Sequence, residues 1–176
     1  MNSSAFRDWN RERAVHTYWS IEQIVDNIEK KVEEKIERKR KELEEKYDQD
    51  LTNKELKGKL KELEKEKQKL IEEHKAQLLS ICRKIPMQLK ENGIITVLAY
   101  YIKGKDENEK KNIGTQVGRA IENWLFNNFV KEKEGEKKHS SVKYLAGRSF
   151  TTYNFFTKEA IEYTLWLKRN AEGMIS

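Results

Sequence analysis

Apolar residues in the first half of the chain are sparse but evenly stepped. Ile21, Val25, Ile28, Val32, Ile36, Leu43, Tyr47 and Leu51 follow one another mostly by three or four, with Lys39 occupying a seam position. Leu56, Leu60, Leu63, Leu70, His74 and Leu78 repeat the pattern, with Lys67 in the gap. Stepping of this kind marks a coiled-coil seam, in which each helix buries a narrow apolar stripe against a partner. Between the two seams lies YDQDLTNKE, where Asp48, Asp50 and Asn53 disfavour helix and Thr52 with Glu55 forms a capping box that restarts one. The pattern predicts an antiparallel helical hairpin over residues 29–78, with its tip near Asp50 and arms of roughly 40 Å. One uninterrupted helix in a parallel dimer is the rival arrangement. Gly58 weakens the second arm slightly near the tip.

Beyond residue 78 the apolar density rises. Pro86 is expected to open a helix at a permitted first-turn position, and Gly93 to end it with a left-handed residue. A short helix over about 94–102, apolar nearly all round, must be buried. Asp106 and Glu109 stand at capping-box spacing and predict a helix reaching about Val130, with Ile113, Val117, Ile121, Trp124, Leu125 and Phe129 inward. Residues 131–138 form a charged linker, and 142–145 support one helical turn ended by Gly147. Residues 150–156, aromatic and rich in Thr, are expected to be an ordered loop or a short strand. Thr157 is expected to cap a last helix, with Glu159 in its first turn and Lys168 and Arg169 in its last, each charge suited to the dipole. The expected class is all-α: a small helical bundle, residues 1–28 and 79–176, bearing a protruding antiparallel coiled-coil hairpin.

Composition sharpens this picture. Of the 176 residues, 38% are charged and 36% hydrophobic, too polar for one compact globule, yet 10% are aromatic, too many for a disordered chain. No run approaches the roughly 18 apolar residues of a membrane span, and the N-terminus has no apolar secretory core; a soluble, cytoplasmic protein is expected. The +6 net charge is unevenly placed: residues 29–78 hold 16 Lys and Arg against 15 Asp and Glu, whereas residues 79–176 hold 17 against 11. The hairpin is thus electrically neutral scaffolding, and the cationic excess belongs to the C-terminal body. Its alternating charges support an exposed helix and identify no partner.

Candidate chemistry is scarce. His16, His74 and His139 are too scattered for zinc-ligand spacing, and Cys82, among Leu78, Leu79, Ile81 and Ile85, reads as a buried small hydrophobe rather than a nucleophile. KDENE lacks the turn glycine and ligand number of a calcium loop. No Gly-rich phosphate loop or nucleophile elbow occurs, so no catalysis and no cofactor are expected.

Several features together resemble a known family. Ile85-Pro86 followed by Lys90-Glu91-Asn92-Gly93-Ile94, the Leu98-Ala99-Tyr100 helix, and Thr157-x-Glu159-Ala160 with Trp166-Leu167-Lys168-Arg169-x-Ala171 look like the small all-helical subunit of the type III-B CRISPR (Cmr) effector complex. Trp124-Leu125 ends a helix where that family has a similar one, and Arg13-Ala14-Val15 suits its first helix. The resemblance covers roughly residues 79–174 and the first 25 or so; the long charged hairpin departs from it and looks like an insertion. The resemblance implies a non-catalytic subunit that stacks with copies of itself into the minor filament, beside other effector subunits and along the crRNA and target RNA in antiviral defence.

A cationic helical body with aromatics nearby is also what phosphate-backbone contact requires, and Arg83, Lys84, Lys90, Lys143, Arg148, Lys168 and Arg169 are the candidate RNA contacts. For any one Lys the plain alternative is a solvated charge; Arg148 and Arg169 stand beside aromatics and can bind phosphate bidentately. Trp124 and Trp166 fall on apolar stripes and are expected in the core rather than as stacking platforms. Of the rival functions, a coiled-coil adaptor that docks a protein partner through the hairpin would make the basic excess incidental. A DNA-binding helical regulator would need an exposed recognition helix after Gly93, where the pattern demands a buried one.

Overall fold

The computed structural model describes residues 8–47, 53–102, 112–130 and 141–175. Within them the chain forms helices α1 (Trp9–Tyr47), α2 (Asn53–Tyr101), α3 (Ile113–Phe129), α4 (Ser141–Ala146) and α5 (Phe150–Ile175), with no strand among the described residues. The all-α expectation and the hairpin both hold. Asp8 caps α1, its Oδ1 accepting from the Arg11 amide at 3.1 Å.

The hairpin arises from the stepped seam. Ile21, Ile24, Ile28, Val32 and Ile36 are buried along α1, so the seam runs through Ile24 and leaves Val25 half-buried. Lys39 and Lys67, the lysines at seam positions, bury their stems and carry their ammonium groups out to carboxylates of the opposite helix. Lys39 pairs with Glu66, and Lys67 Nζ lies 3.1 Å from Glu33. Lys75 reaches Glu29 at 2.6 Å nearer the body. These cross-pairs require antiparallel arms. Asp48, Asp50 and Thr52 lie outside the described residues.

Five expectations about element ends change, the first being that Lys168 and Arg169 lie in the last turn of α5: the helix runs on to Ile175 and carries no cation in that turn. Pro86 does not open a helix: α2 runs through it, and the only non-helical backbone inside α2 is at Gly93. Proline's fixed φ suits a helix, and burial of Pro86 with Cys82, Ile85 and Leu89 compensates the one backbone hydrogen bond it removes. The helix expected from Asp106 begins instead at Ile113, where the Asn112 side chain accepts from the Gly114 amide at 2.8 Å; Asp106 and Glu109 lie outside the described residues. Residues 150–156 are neither loop nor strand but the first two turns of α5. Ser149 supplies the cap, accepting from the Thr152 amide at 3.3 Å, and Thr157 sits mid-helix with its hydroxyl donated to the Tyr153 carbonyl at 3.0 Å. The one-turn helix near Val142 is present as α4.

Gly93 is where the sequence places a break, with φ 73° and ψ 170°, a region essentially reserved for glycine. It also permits contact: a Cβ there would lie 1.8 Å from the Tyr153 hydroxyl, so α5 presses directly on the bend. Past the bend, Ile94, Val97, Leu98 and Tyr101 are buried, but Ala99 and Tyr100 are exposed, so the segment buries one face and not its whole circumference as the apolar pattern predicts. Gly118 lets α3 approach this segment, since a Cβ would stand 2.9 Å from that of Tyr101.

A polar node sits inside the bundle. Glu159, expected in the first turn of the last helix, is buried in the middle of α5 and receives Arg13 through two bonds of 2.7 and 2.6 Å. The Trp124 indole donates to the same carboxylate at 2.9 Å. Their side chains are only 11% and 8% exposed for Arg13 and Glu159, and the hydrogen bond to Glu159 raises the Arg13 pKa despite its desolvation. Beside the node, Trp124 stacks on Tyr163 with centroids 5.4 Å apart, and the Tyr163 hydroxyl lies 2.9 Å from His16 Nδ1. Trp124 is thus a core residue, as expected, whereas Trp166, expected there too, is only half-buried and lies outside the core cluster. Asn170 ties α5 to α1 again, donating to the Ala14 carbonyl at 2.9 Å and the Thr17 hydroxyl at 2.7 Å.

Removing one partner of a buried, hydrogen-bonded ion pair leaves a charge without compensation. Glu159→Ala should therefore lower the unfolding free energy by about 3–5 kcal/mol, measured by urea denaturation. Burial lowers the His16 pKa below its ordinary value, so the unfolded chain binds that proton more tightly. The stability this group contributes is complete above the ordinary histidine pKa of about 6.5 and is lost as pH falls from there towards the folded value. Thermal melts across that window should show a falling Tm, and His16→Gln should flatten the decline.

Candidate nucleic-acid interface

α2 and α5 pack antiparallel, and each presents an outward stripe beside the line where they meet. On α2 the stripe is Arg83, Met87 and Lys90, spaced by four and three; all three are exposed while Cys82, Ile85 and Leu89 face the core. On α5 it is Phe150, Asn154, Lys158, Ile161, Leu165, Lys168 and Glu172, each three or four residues after the last, so they share one side of a continuous helix. Arg83 Nε donates to Glu172 Oε1 at 2.8 Å, which fixes the stripes side by side at one end. The Gly93–Tyr153 contact does so near the other.

Five of the seven cations singled out from sequence lie on or beside this seam. Arg83, Lys84 and Lys90 are exposed on α2, and Lys168 is half-buried one turn before Glu172. Arg169 lies next to it, its guanidinium 5.0 Å from the centre of the half-buried Trp166 ring. Lys143 and Arg148 lie elsewhere, on α4 and in the link to α5. That corner is about 27 Å along α5 from Lys168, counting 1.5 Å per residue. Arg148 covers the face of Tyr144 at 4.0 Å, and Tyr144 in turn meets Phe126 edge-on at 5.2 Å. The candidates therefore fall into two groups, five along the seam and two at the corner before α5. Sequence reasoning missed Lys158, which lies between them; its signal, the 3–4 stepping back to Phe150, disappears when 150–156 are taken as a loop.

Another surface differs in character. On α1, Val15, Tyr18 and Trp19 are exposed, Trp19 by 56%. Val15 and Trp19 line a groove of about 730 Å³ whose wall also carries Asp8, Glu12 and Trp124. It is largely apolar, with Arg11 beside the two carboxylates at its edge, a mixed rim that suits protein contact.

Groups with reactive potential are turned inward. Cys82 is fully buried, and burial alone pushes its thiol up to about 12, so it stays protonated. Tyr163 is likewise driven well above the ordinary phenol value by burial. Among the described residues no cluster of three His, Cys, Asp or Glu is arranged to hold a metal ion, and no helix is long and apolar enough to cross a membrane.

A family model described as CRISPR-associated protein (Cas_Cmr5) matches residues 51–174. No curated protein and no solved structure matches the chain. The matched span takes in the second arm of the hairpin and every later helix, including the whole α2–α5 seam, and leaves α1 outside. With more than two thirds of the 176 residues covered, the chain belongs to this CRISPR-associated family, the small all-helical subunit of the type III-B Cmr effector complex.

Proposed function

We propose that the chain is a non-catalytic structural subunit which lays its α2–α5 seam along the sugar-phosphate backbone of crRNA and target RNA, and which stacks with copies of itself and other subunits as the minor filament. The observation that carries this reading is the alignment of Arg83, Lys90, Lys158 and Lys168 on two adjoining stripes, where the carboxylate of Glu172 is already engaged by Arg83. Cations on a packed helical pair can neutralise phosphates without reading bases, and phosphate neutralisation supplies most sequence-independent affinity. The apolar patch at Val15, Tyr18 and Trp19 supports a separate protein-facing side. Burial of Cys82 and of the Glu159 node supports a role without bond-breaking chemistry.

Contact with about four phosphates of a single strand gives a slope near -3 for log affinity against log salt, because each contact contributes about -0.7. Lys168→Glu with Arg169→Glu should weaken RNA binding by the assembled complex and flatten that slope, with helicity unchanged by circular dichroism. Binding that ignores both salt and these substitutions would leave the seam without this role and favour an adaptor docking through the hairpin.

We further propose that residues 29–78 form an appendage to a body made of residues 1–28 and 79–176. In support, the contiguous core takes Ile28 from α1 and Leu78 from α2 as its outermost members. Removing residues 29–77 and joining the ends should leave a soluble chain that melts cooperatively; an aggregated or molten product would make the arms integral to the body.

A further inference from the structure

The residues around the start of α5 have a composition unlike the rest of the chain. From Ser141 to Lys158 there are five aromatic side chains and three cations, and no carboxylate at all, in a protein whose Asp and Glu number 30. The fold accounts for only part of this aromatic content. Phe156 is buried, Phe155 packs edge-on against Phe129 with centroids 5.2 Å apart, Tyr153 fills the space left by Gly93, and Tyr144 lies beneath Arg148. Phe150 is left over: it stands 78% exposed in the first turn of α5, at the head of the α5 cationic stripe. A phenylalanine ring this exposed adds little to the core and is open to a partner.

We propose that Phe150 is a stacking platform for an unpaired RNA base, with Arg148 holding a phosphate of the same or the adjoining nucleotide. This rests on the RNA-backbone reading of the seam and adds to it a contact with a base. The two residues are two apart in sequence, so their Cα atoms lie no more than about 7.6 Å apart, within the reach of one nucleotide. Arg148 is already flattened on the Tyr144 ring at 4.0 Å. A guanidinium held in that way keeps its N–H edge free for a bidentate phosphate contact and loses little freedom on binding. Base-on-aromatic stacking combined with a cationic track is how single strands are held without sequence preference, because every base offers a π-face. The absence of carboxylates from Ser141 to Lys158 selects the occupant: an apolar protein segment would tolerate acidic neighbours, whereas a polyanion is repelled by them.

The test uses the full-length chain, alone at low salt and in the reconstituted complex, with a short single-stranded oligoribonucleotide and the same strand made abasic. Phe150→Ala should weaken binding of the base-bearing strand by about five- to a hundred-fold, the range for one lost stack, and leave the abasic strand and the salt slope unchanged. Phe150→Tyr should bind as the parent does. Phe150→Leu, which keeps apolar bulk but no π-face, should behave like the alanine variant; parental affinity in Phe150→Leu would overturn stacking in favour of simple apolar contact. If Phe150→Ala binds as tightly as the parent while Lys168→Glu with Arg169→Glu weakens binding, the platform is refuted and the backbone reading stands. If neither change matters, both fall. Because Phe150 is exposed, all variants should melt with the parent, and a shifted melt would itself show that the ring serves the fold.

Discussion

A single buried carboxylate organises this bundle. Glu159 sits on α5 where helical spacing turns it inward, and an isolated charge there would be strongly unfavourable. Arg13 from α1 and the indole of Trp124 from α3 together satisfy it. Each donor comes from a different helix, so the node specifies the relative placement of α1, α3 and α5 in a way that apolar contacts, which tolerate sliding, do not. Around it Trp124 stacks on Tyr163, His16 meets both rings edge-on, and Asn170 adds a second polar tie to α1.

That placement determines the seam. With α5 held against α1 and α3 by one side, another side is left to pack on α2, and Gly93 allows the approach at the upper end. The outward stripes of α2 and α5 are then neighbours by construction. Cations that are remote in sequence, Arg83 and Lys168 among them, reach one surface through no interaction with each other. The Arg83–Glu172 pair is half-exposed and contributes little to stability; its value lies in marking the register.

Much of this architecture is legible in the chain. The stepped seam and the Asp-rich tip carry the hairpin, Gly93 carries the bend, and the apolar run after it carries a buried segment. What is not legible has identifiable causes. The start of α5 is obscured because Phe150, Thr151, Thr152, Tyr153, Phe155 and Phe156 are β-branched or aromatic, types that favour strands in isolation, and tertiary packing on α2 overrides that preference. Thr157 with Glu159 looks as good a cap as Ser149 does. The burial of Glu159 cannot be foreseen, since its partner Arg13 is 146 residues away. Loss of the helix start also conceals the continuity from Phe150 to Glu172, so the cationic residues are individually recognisable while the surface they compose is not.

α1 and α2 each pass from the core into the arm without a break. Among the described residues no hinge separates the two regions; the buried Val32 and Ile36 carry the apolar seam outward from the core, and the Lys39–Glu66, Lys67–Glu33 and Lys75–Glu29 rungs mark the register of the arms. The arm is therefore a lever welded to the bundle rather than a tether. Anything that grips its far end dictates the angle at which the whole subunit is held, converting a small rotation there into a displacement of the opposite face.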